Sequence, residues 1–276
     1  MIDQLRPYYG FTKMPFGKEL APSQLHHHKK QLEVIARLSW CVSERGIGML
    51  TGEVGAGKTV AVRAVVAGLD QLNHKIIYIG NPTMGQKGIY SMIVHTLGGV
   101  PRFNRATLIP QTMDLLAAEE NERGRQTILI VDEAHLLEYD QLEEIRLLTN
   151  ADMDSRSALT VILIGQPTLR HQVKLGKFAA LDQRIMVKAN LEGMTRQDTK
   201  DYIAHHLAFA GRSDPLFSDE AIEAIHHNSR GLPRGINNLA IQALIANYIS
   251  KGTIVDRKAA EQAITELGAD DKVIMQ

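Results

Sequence analysis

The sequence predicts an α/β fold, a doubly wound parallel sheet followed by a helical lid, and three observations predict it. Gly52-Glu53-Val54-Gly55-Ala56-Gly57-Lys58-Thr59 matches the complete phosphate-loop pattern and directly follows the apolar run Ile47 to Leu50. Thr127 to Val131 is an unbroken apolar or β-branched run, as expected of a strand buried on both faces, and it leads straight into Asp132-Glu133. After Glu192 the pattern changes to helical periodicity and stays helical.

The elements follow in order. Residues 1–25 carry Tyr8, Tyr9, Phe11 and Phe16 among Pro7, Gly10, Pro15 and Pro22, and read as an extended aromatic arm lying against the globular body or a neighbour. Leu32, Ile35, Ala36, Leu38 and Val42 give residues 29–43 a helical face. Strands are expected at 47–50, 75–79, 127–131, 159–164 and 185–188. A helix from Val60 to Leu69 follows the phosphate loop, others lie near 86–97 and 107–123, and Leu136 to Leu148 looks helical. The later helices are expected near 195–210, 218–229, 234–249 and 256–266. Thr195 with Asp198 is a weak capping signal for the first of these, and Asp219 and Glu220 suit the opening turn of the second. The domains are therefore an arm at 1–25, a nucleotide-binding domain at 26–192 and a lid at 193–276. No long linker separates the last two, which predicts that they lie close with nucleotide between them.

The chemistry of the motifs is specific. Backbone N–H groups of the glycine-rich loop suit phosphate oxygens, Lys58 suits the outer phosphates, and the Thr59 hydroxyl suits Mg2+ as the helix begins. Asp132 and Glu133 emerge at the C-terminal end of a parallel strand, where open α/β sheets place their ligands. Asp132 fits the Mg2+ shell, directly or through water, and Glu133 fits the base that orients or deprotonates attacking water. The alternative for Glu133 is a favourable charge at a helix start.

Composition narrows the classes. The chain has 276 residues, and Lys plus Arg equals Asp plus Glu at 31 each, so no global charge drives it toward nucleic acid. Cys41 is the single cysteine, which excludes a disulfide framework and suits a buried apolar position. No signal peptide and no apolar run of membrane-spanning length are present, so a soluble cytoplasmic chain is expected. Of the 11 histidines, His26-His27-His28, His205-His206 and His226-His227 are read as structural or solvated, since the first three point in different directions on a helix and lack a second ligand set. His135 stands apart, two residues beyond Glu133, where it either bonds that carboxylate or simply starts a helix.

Tyr9-Gly10-Phe11 with Pro15-Phe16, the phosphate loop with Leu50-Thr51 before it, Val131-Asp132-Glu133-Ala134, Leu147 to Asn150, Leu163 to Pro167, Gln183-Arg184-Ile185 and Gly231-Leu232-Pro233-Arg234 form an ordered series. In this series the chain resembles AAA+ ATPases of the group typified by the ATPase domain of general secretion pathway protein A and its transposon-encoded relatives. The resemblance runs from Tyr8 to about Leu267. It implies an ATPase using ATP and Mg2+, with adenine rather than guanine as the base. Gln166 would contact the terminal phosphate or the attacking water from the neighbouring strand end. Arg184 occupies the position such ATPases use to reach a neighbouring subunit's nucleotide, and Arg234 would bring a lid guanidinium to the phosphates. For all three the alternative is a surface or inter-domain hydrogen bond.

Relatives in secretion continue into a membrane span and a further region, whereas this chain stops at Gln276. That favours the free-standing relatives similar to the phage Mu B protein. The resemblance then implies an ATP-dependent homo-oligomer, a ring or helical filament on duplex DNA, that marks a target site and recruits a transposase. The alternative partners are a secretion or envelope assembly system, or another ATP-driven switch such as a helicase loader. In such filaments the loops after the second strand grip the DNA backbone. Here they are Gly80 to Lys87 and Val100 to Arg105, where Thr83, Lys87, Arg102 and Arg105 look short of negative neighbours and suit phosphate contacts. Solvated loop charges are the plainer reading. No base-reading motif is present, so sequence-nonspecific binding is expected.

Overall fold

A computed structural model describes residues 2–17, 28–85, 87–150, 157 and 159–273. The chain divides into two compact units, one of residues 29–54 and 58–191, the other of residues 1–28, 55–57 and 192–276.

The first of these units is built on a five-stranded sheet, all pairs parallel, in the order β2-β3-β4-β1-β5. Its strands are β1 (Ile47–Gly52), β2 (His74–Ile79), β3 (Gln126–Val131), β4 (Thr160–Gly165) and β5 (Ile185–Leu191). The central strands β1 and β4 are buried at every position, as a sheet covered on both faces requires. β5 is an edge strand that alternates buried and exposed residues. Its exposed Lys188 and Asn190 made the sequence pattern stop at 188, three residues early. β1 likewise runs on through Thr51 and Gly52. A Cβ at residue 52 would land on the Leu191 carbonyl oxygen of β5, so only glycine permits that approach.

The connecting helices are α2 (Lys29–Ser43), α3 (Lys58–Ala67), α4 (Gly88–Thr96), α5 (Arg105–Asn121), α6 (Tyr139–Leu148), α7 (Pro167–Val173) and α8 (Ala179–Arg184). Cys41 is buried on α2. The core joins the sheet side chains Met49, Ile77, Leu129, Val131 and Leu163 to Ile93, Leu108, Leu116, Leu142 and Ile145 of the helices. It makes the strand ends rigid supports for whatever side chains emerge there.

The other unit packs α9 (Arg196–Phe209), α10 (Asp219–Ser229), α11 (Pro233–Ile249) and α12 (Arg257–Val273) around Ile203, Leu207, Ile225, Ile236 and Leu244. Thr195 and Asp198 form a full reciprocal capping box on α9, stronger than the sequence signal suggested. Over residues 2–17 the N-terminal segment is not the extended arm expected, and residues 18–25 of that arm lie outside the described residues. Ile2–Tyr9 forms helix α1 despite Pro7, and Leu5, Tyr9, Phe11 and Phe16 are buried in the same core as α9 to α11. Tyr9 Oη donates to the Leu244 carbonyl at 2.8 Å, which satisfies its buried hydroxyl. Among the described residues no helix is long and apolar enough to cross a membrane. Residues 26 and 27 of the histidine run lie outside the described residues.

Candidate nucleotide site

The C-terminal ends of β1, β3 and β4 carry the chemistry-bearing residues of the sheet unit. From β1 the chain turns through the glycine-rich loop, where Gly55 (φ +84°) and Gly57 (φ +92°) adopt the left-handed conformations that glycine favours. Lys58 opens α3 and is buried, and its Nζ donates to the carbonyl oxygens of Gly52 at 2.8 Å and Glu53 at 2.9 Å. A cation is thus held inside the loop by its own backbone. Phosphate oxygens would be stronger acceptors for such a cation than these neutral carbonyls. Val54 is exposed and Ala56 buried at the turn.

From β3 comes Asp132, and three groups converge on its carboxylate. Thr59 Oγ1 donates to Oδ2 at 3.1 Å, Tyr78 Oη donates to Oδ2 at 3.0 Å, and the Glu133 N–H donates to Oδ1 at 2.9 Å. Burial, with the Asp132 charge next, pushes the Tyr78 phenol up to about 12, so it remains a protonated donor at neutral pH. The Thr59 hydroxyl and the Asp132 carboxylate are hard oxygen donors side by side, which fits Mg2+ held by one carboxylate and by substrate phosphates. Bound there, the ion would neutralise charge on phosphate oxygens. Among the described residues no group of three or more His, Cys, Asp or Glu is arranged to hold a metal ion.

Glu133 sits at φ +52°, ψ 33°, a left-handed conformation that costs a non-glycine residue about 1–2 kcal/mol. It precedes a single 3-10 turn, Ala134–Leu136, while α6 starts only at Tyr139. An α-helix dipole therefore does not explain its charge. The side chain is 48% exposed and its Oε2 lies 3.3 Å from His135 Nδ1. The same Nδ1 is 3.5 Å from the Gln166 N–H at the end of β4. The two contacts require opposite roles of that nitrogen: it accepts from Gln166 when the proton is on Nε2 and donates to Glu133 when Nδ1 carries it.

The expected residues thus fall into groups. Lys58, Thr59, Asp132, Glu133 and the backbone of Gln166 gather at neighbouring strand ends. Arg184, at the end of α8, lies instead beside α6: its Nη1 is 3.5 Å from Thr149 Oγ1, and its charge helps hold the Glu143 carboxyl low, after the Arg146 hydrogen bond. Arg234 is at the start of α11, where its backbone N–H donates to the Gly55 carbonyl at 3.3 Å; both residues fall in the unit of residues 55–57 and 192–276. Tyr78 was missed. Its only sequence signal is an aromatic hydroxyl in β2, one strand away from Asp132.

The loop candidates divide. Thr83 is exposed and bonds Asn81, Arg102 is exposed, and Lys87 donates from Nζ to the Phe103 carbonyl at 2.9 Å. Arg105 does not lack a negative neighbour, contrary to expectation: its Nη2 lies 2.7 Å from Oε1 of the buried Glu144 on α6. Burial, only partly offset by Arg105, pushes the Glu144 carboxyl up. Arg105 is held for that carboxylate rather than for a passing phosphate. Gln141, also on α6, donates to the carbonyls of Pro82 at 3.1 Å and Gly85 at 3.3 Å, so both loops are tied to one helix.

The chain resembles several known proteins over part of their length. A family model described as an AAA domain matches residues 41–173. The chain is 31% identical over 245 residues to general secretion pathway protein A of Aeromonas hydrophila, covering 87% of this chain and 44% of that protein. It is 23% identical over 233 residues to the Holliday junction branch migration complex subunit RuvB of Gluconobacter oxydans, covering 80% of this chain and 65% of that protein. The chain thus spans less than two thirds of the length of either relative. Among solved structures it superposes on the Aeropyrum pernix ORC1 protein in complex with DNA with a TM-score of 0.64 at 15% identity, covering 88% of this chain and 67% of that one.

Proposed function

We propose that this chain, which carries an AAA+ P-loop ATPase domain with a parallel sheet and a C-terminal helical region, is an ATP-driven switch that acts on duplex DNA. The observation that carries the ATPase half is the convergence of Thr59 and Tyr78 on Asp132, with the loop-held Lys58 beside it and Glu133 next in the chain. In this reading the backbone from Gly52 to Gly57 and Lys58 bind the phosphates of ATP, while Thr59 and Asp132 hold Mg2+. Glu133 takes the proton from the attacking water, with His135 steadying it, and Gln166 contacts the terminal phosphate or that water. Arg234 senses the phosphates, and Arg184 completes the site of an adjacent subunit in an ATP-dependent homo-oligomer.

The DNA half is supported by the two relatives whose names concern DNA, the branch migration subunit and the ORC1 protein in complex with DNA. Exposed Thr83, Lys87 and Arg102 supply few contacts per subunit, so retention on DNA depends on assembly. A replication- or recombination-type regulator fits these relatives better than the narrower role of marking a target and recruiting a transposase, which rests on sequence resemblance alone. A secretion-type ATPase is the second reading, favoured by the 31% identity to general secretion pathway protein A. Negative-stain imaging with duplex DNA separates the two. Regular DNA-centred assemblies with ATP and dispersed particles with ADP are expected; dispersed particles in both would favour the secretion reading.

A further inference from the structure

Phe103 is 93% exposed and Val100 85% exposed, in the short connection between α4 and α5. Such apolar exposure ordinarily belongs to loose loops. This loop is pinned on every side. Gln111 of α5 accepts from the Arg102 N–H at 3.0 Å and donates to the Val100 carbonyl at 2.9 Å. Asn104 caps α5 by accepting from the Ala106 N–H at 3.1 Å. Lys87 holds the Phe103 carbonyl at 2.9 Å, with its ammonium 4.8 Å from the centre of the Phe103 ring. Side chains thus hold the Val100 carbonyl, the Arg102 N–H and the Phe103 carbonyl, while the Val100 and Phe103 side chains face water. Leaving a phenyl group so exposed forfeits about 2 kcal/mol of burial.

The charge around the ring identifies what covers it. The sequence contains no Asp or Glu between Asp70 and Asp114, although the whole chain has 31 of them. Within that stretch Lys87 lies over the ring and exposed Arg102 is its chain neighbour, whereas Arg105 is occupied by Glu144. An apolar protein partner would not need cations flanking the ring. A polyanion with flat apolar faces does, and stacking of bases on aromatic rings is tolerant of sequence. Apolar wedges inserted at base steps are likewise a recurrent means of bending duplexes.

We propose that Phe103, with Val100 beside it, is a wedge that inserts against an unstacked base of DNA while Lys87 and Arg102 hold the flanking phosphates. This rests on the DNA reading above and deepens it, because it makes the protein a distorter of the duplex as well as a binder. Bases that are already unstacked should then bind best. The wedge also requires no hydrogen bond to a base edge, in keeping with sequence-nonspecific binding.

The test uses the full chain with ATP and a duplex carrying 2-aminopurine at its centre, either fully paired or opposite an abasic site. Wild-type protein should raise 2-aminopurine fluorescence and bind the abasic duplex about tenfold more tightly than the paired one. Phe103→Ala should lose both effects, Phe103→Trp should keep them, and the thermal midpoint of each variant shows that the fold is intact. Binding of wild-type protein without a fluorescence change, or Phe103→Ala behaving as wild type, overturns the wedge and leaves the DNA reading standing. No binding of any duplex by wild-type protein overturns the DNA reading itself. If Phe103→Ala shifts sedimentation without DNA, the ring covers a second copy of the chain, and the wedge is also overturned.

Discussion

Thr59 Oγ1 donates to Asp132 Oδ2 at 3.1 Å, joining the first turn of α3 to the C-terminal end of β3 across residues far apart in sequence. Motif spacing alone gives no such distance. It places the two oxygen donors that a Mg2+-nucleotide needs on one side of the sheet, beside a lysine held by its own loop.

Lys58→Ala should weaken ATP binding roughly tenfold to a hundredfold, the loss expected when charge-assisted contacts to two phosphates disappear. Isothermal titration of the variant checks this. Wild-type affinity would show that the backbone of the loop suffices.

Glu133→Gln should keep ATP affinity near wild type, because Asp132 and Thr59 are untouched, while hydrolysis falls by about a hundredfold or more. ATP-bound oligomers should then live longer. Phosphate release at the wild-type rate, measured with DNA present, would remove Glu133 from the role of base.

Arg184→Ala should bind ATP as a monomer yet fail to assemble and to hydrolyse. Mixing it with Lys58→Ala should restore activity, since each variant supplies what the other lacks at a shared site. If Arg184→Ala assembles and turns over normally, the role of Arg184 lies within its own unit, beside Thr149 and Glu143, and exposed Arg170 becomes the next candidate. Arg156, the other alternative, lies outside the described residues.

Arg105→Ala should destabilise the fold by about 1–3 kcal/mol at pH 7, less than a fully buried pair because Arg105 is 43% exposed. The sign with pH follows from Glu144, whose carboxyl is already pushed above its ordinary 4.5 by burial. A raised folded-state value means that ionisation opposes folding, so the penalty is absent in acid and grows as pH rises through and beyond 4.5. Losing Arg105 enlarges it. Thermal melts across pH should show the deficit of Arg105→Ala widening with pH, and Arg105→Ala combined with Glu144→Gln should recover much of it. A deficit that is flat with pH would mean that the pair contributes packing only.

Much of the geometry of the candidate site was legible because its residues are carried by local motifs. The phosphate loop needs glycine at 55 and 57 for its backbone, and an apolar strand running into Asp132-Glu133 declares its own buried neighbourhood. What stayed hidden depends on partners distant in the chain. Tyr78 reaches Asp132 only because β2 and β3 are adjacent, and Arg105 meets Glu144 only after α5 and α6 pack. The N-terminal helix was masked by Pro7, which is tolerated in so short a helix when Leu5 and Tyr9 are buried. The ends of β1 and β5 were missed because a glycine and an alternating edge pattern look like strand termination.

Fluorescence anisotropy on two unrelated duplexes, across a salt series and with ATP or ADP, tests the central claim most directly. The account predicts tight binding only with ATP, a linear fall of log affinity with log salt, and equal affinity for both duplexes. Equal binding in ADP and ATP, or a preference of more than about tenfold for one duplex, would contradict a nonspecific ATP-gated grip. No binding at low salt would contradict action on DNA altogether.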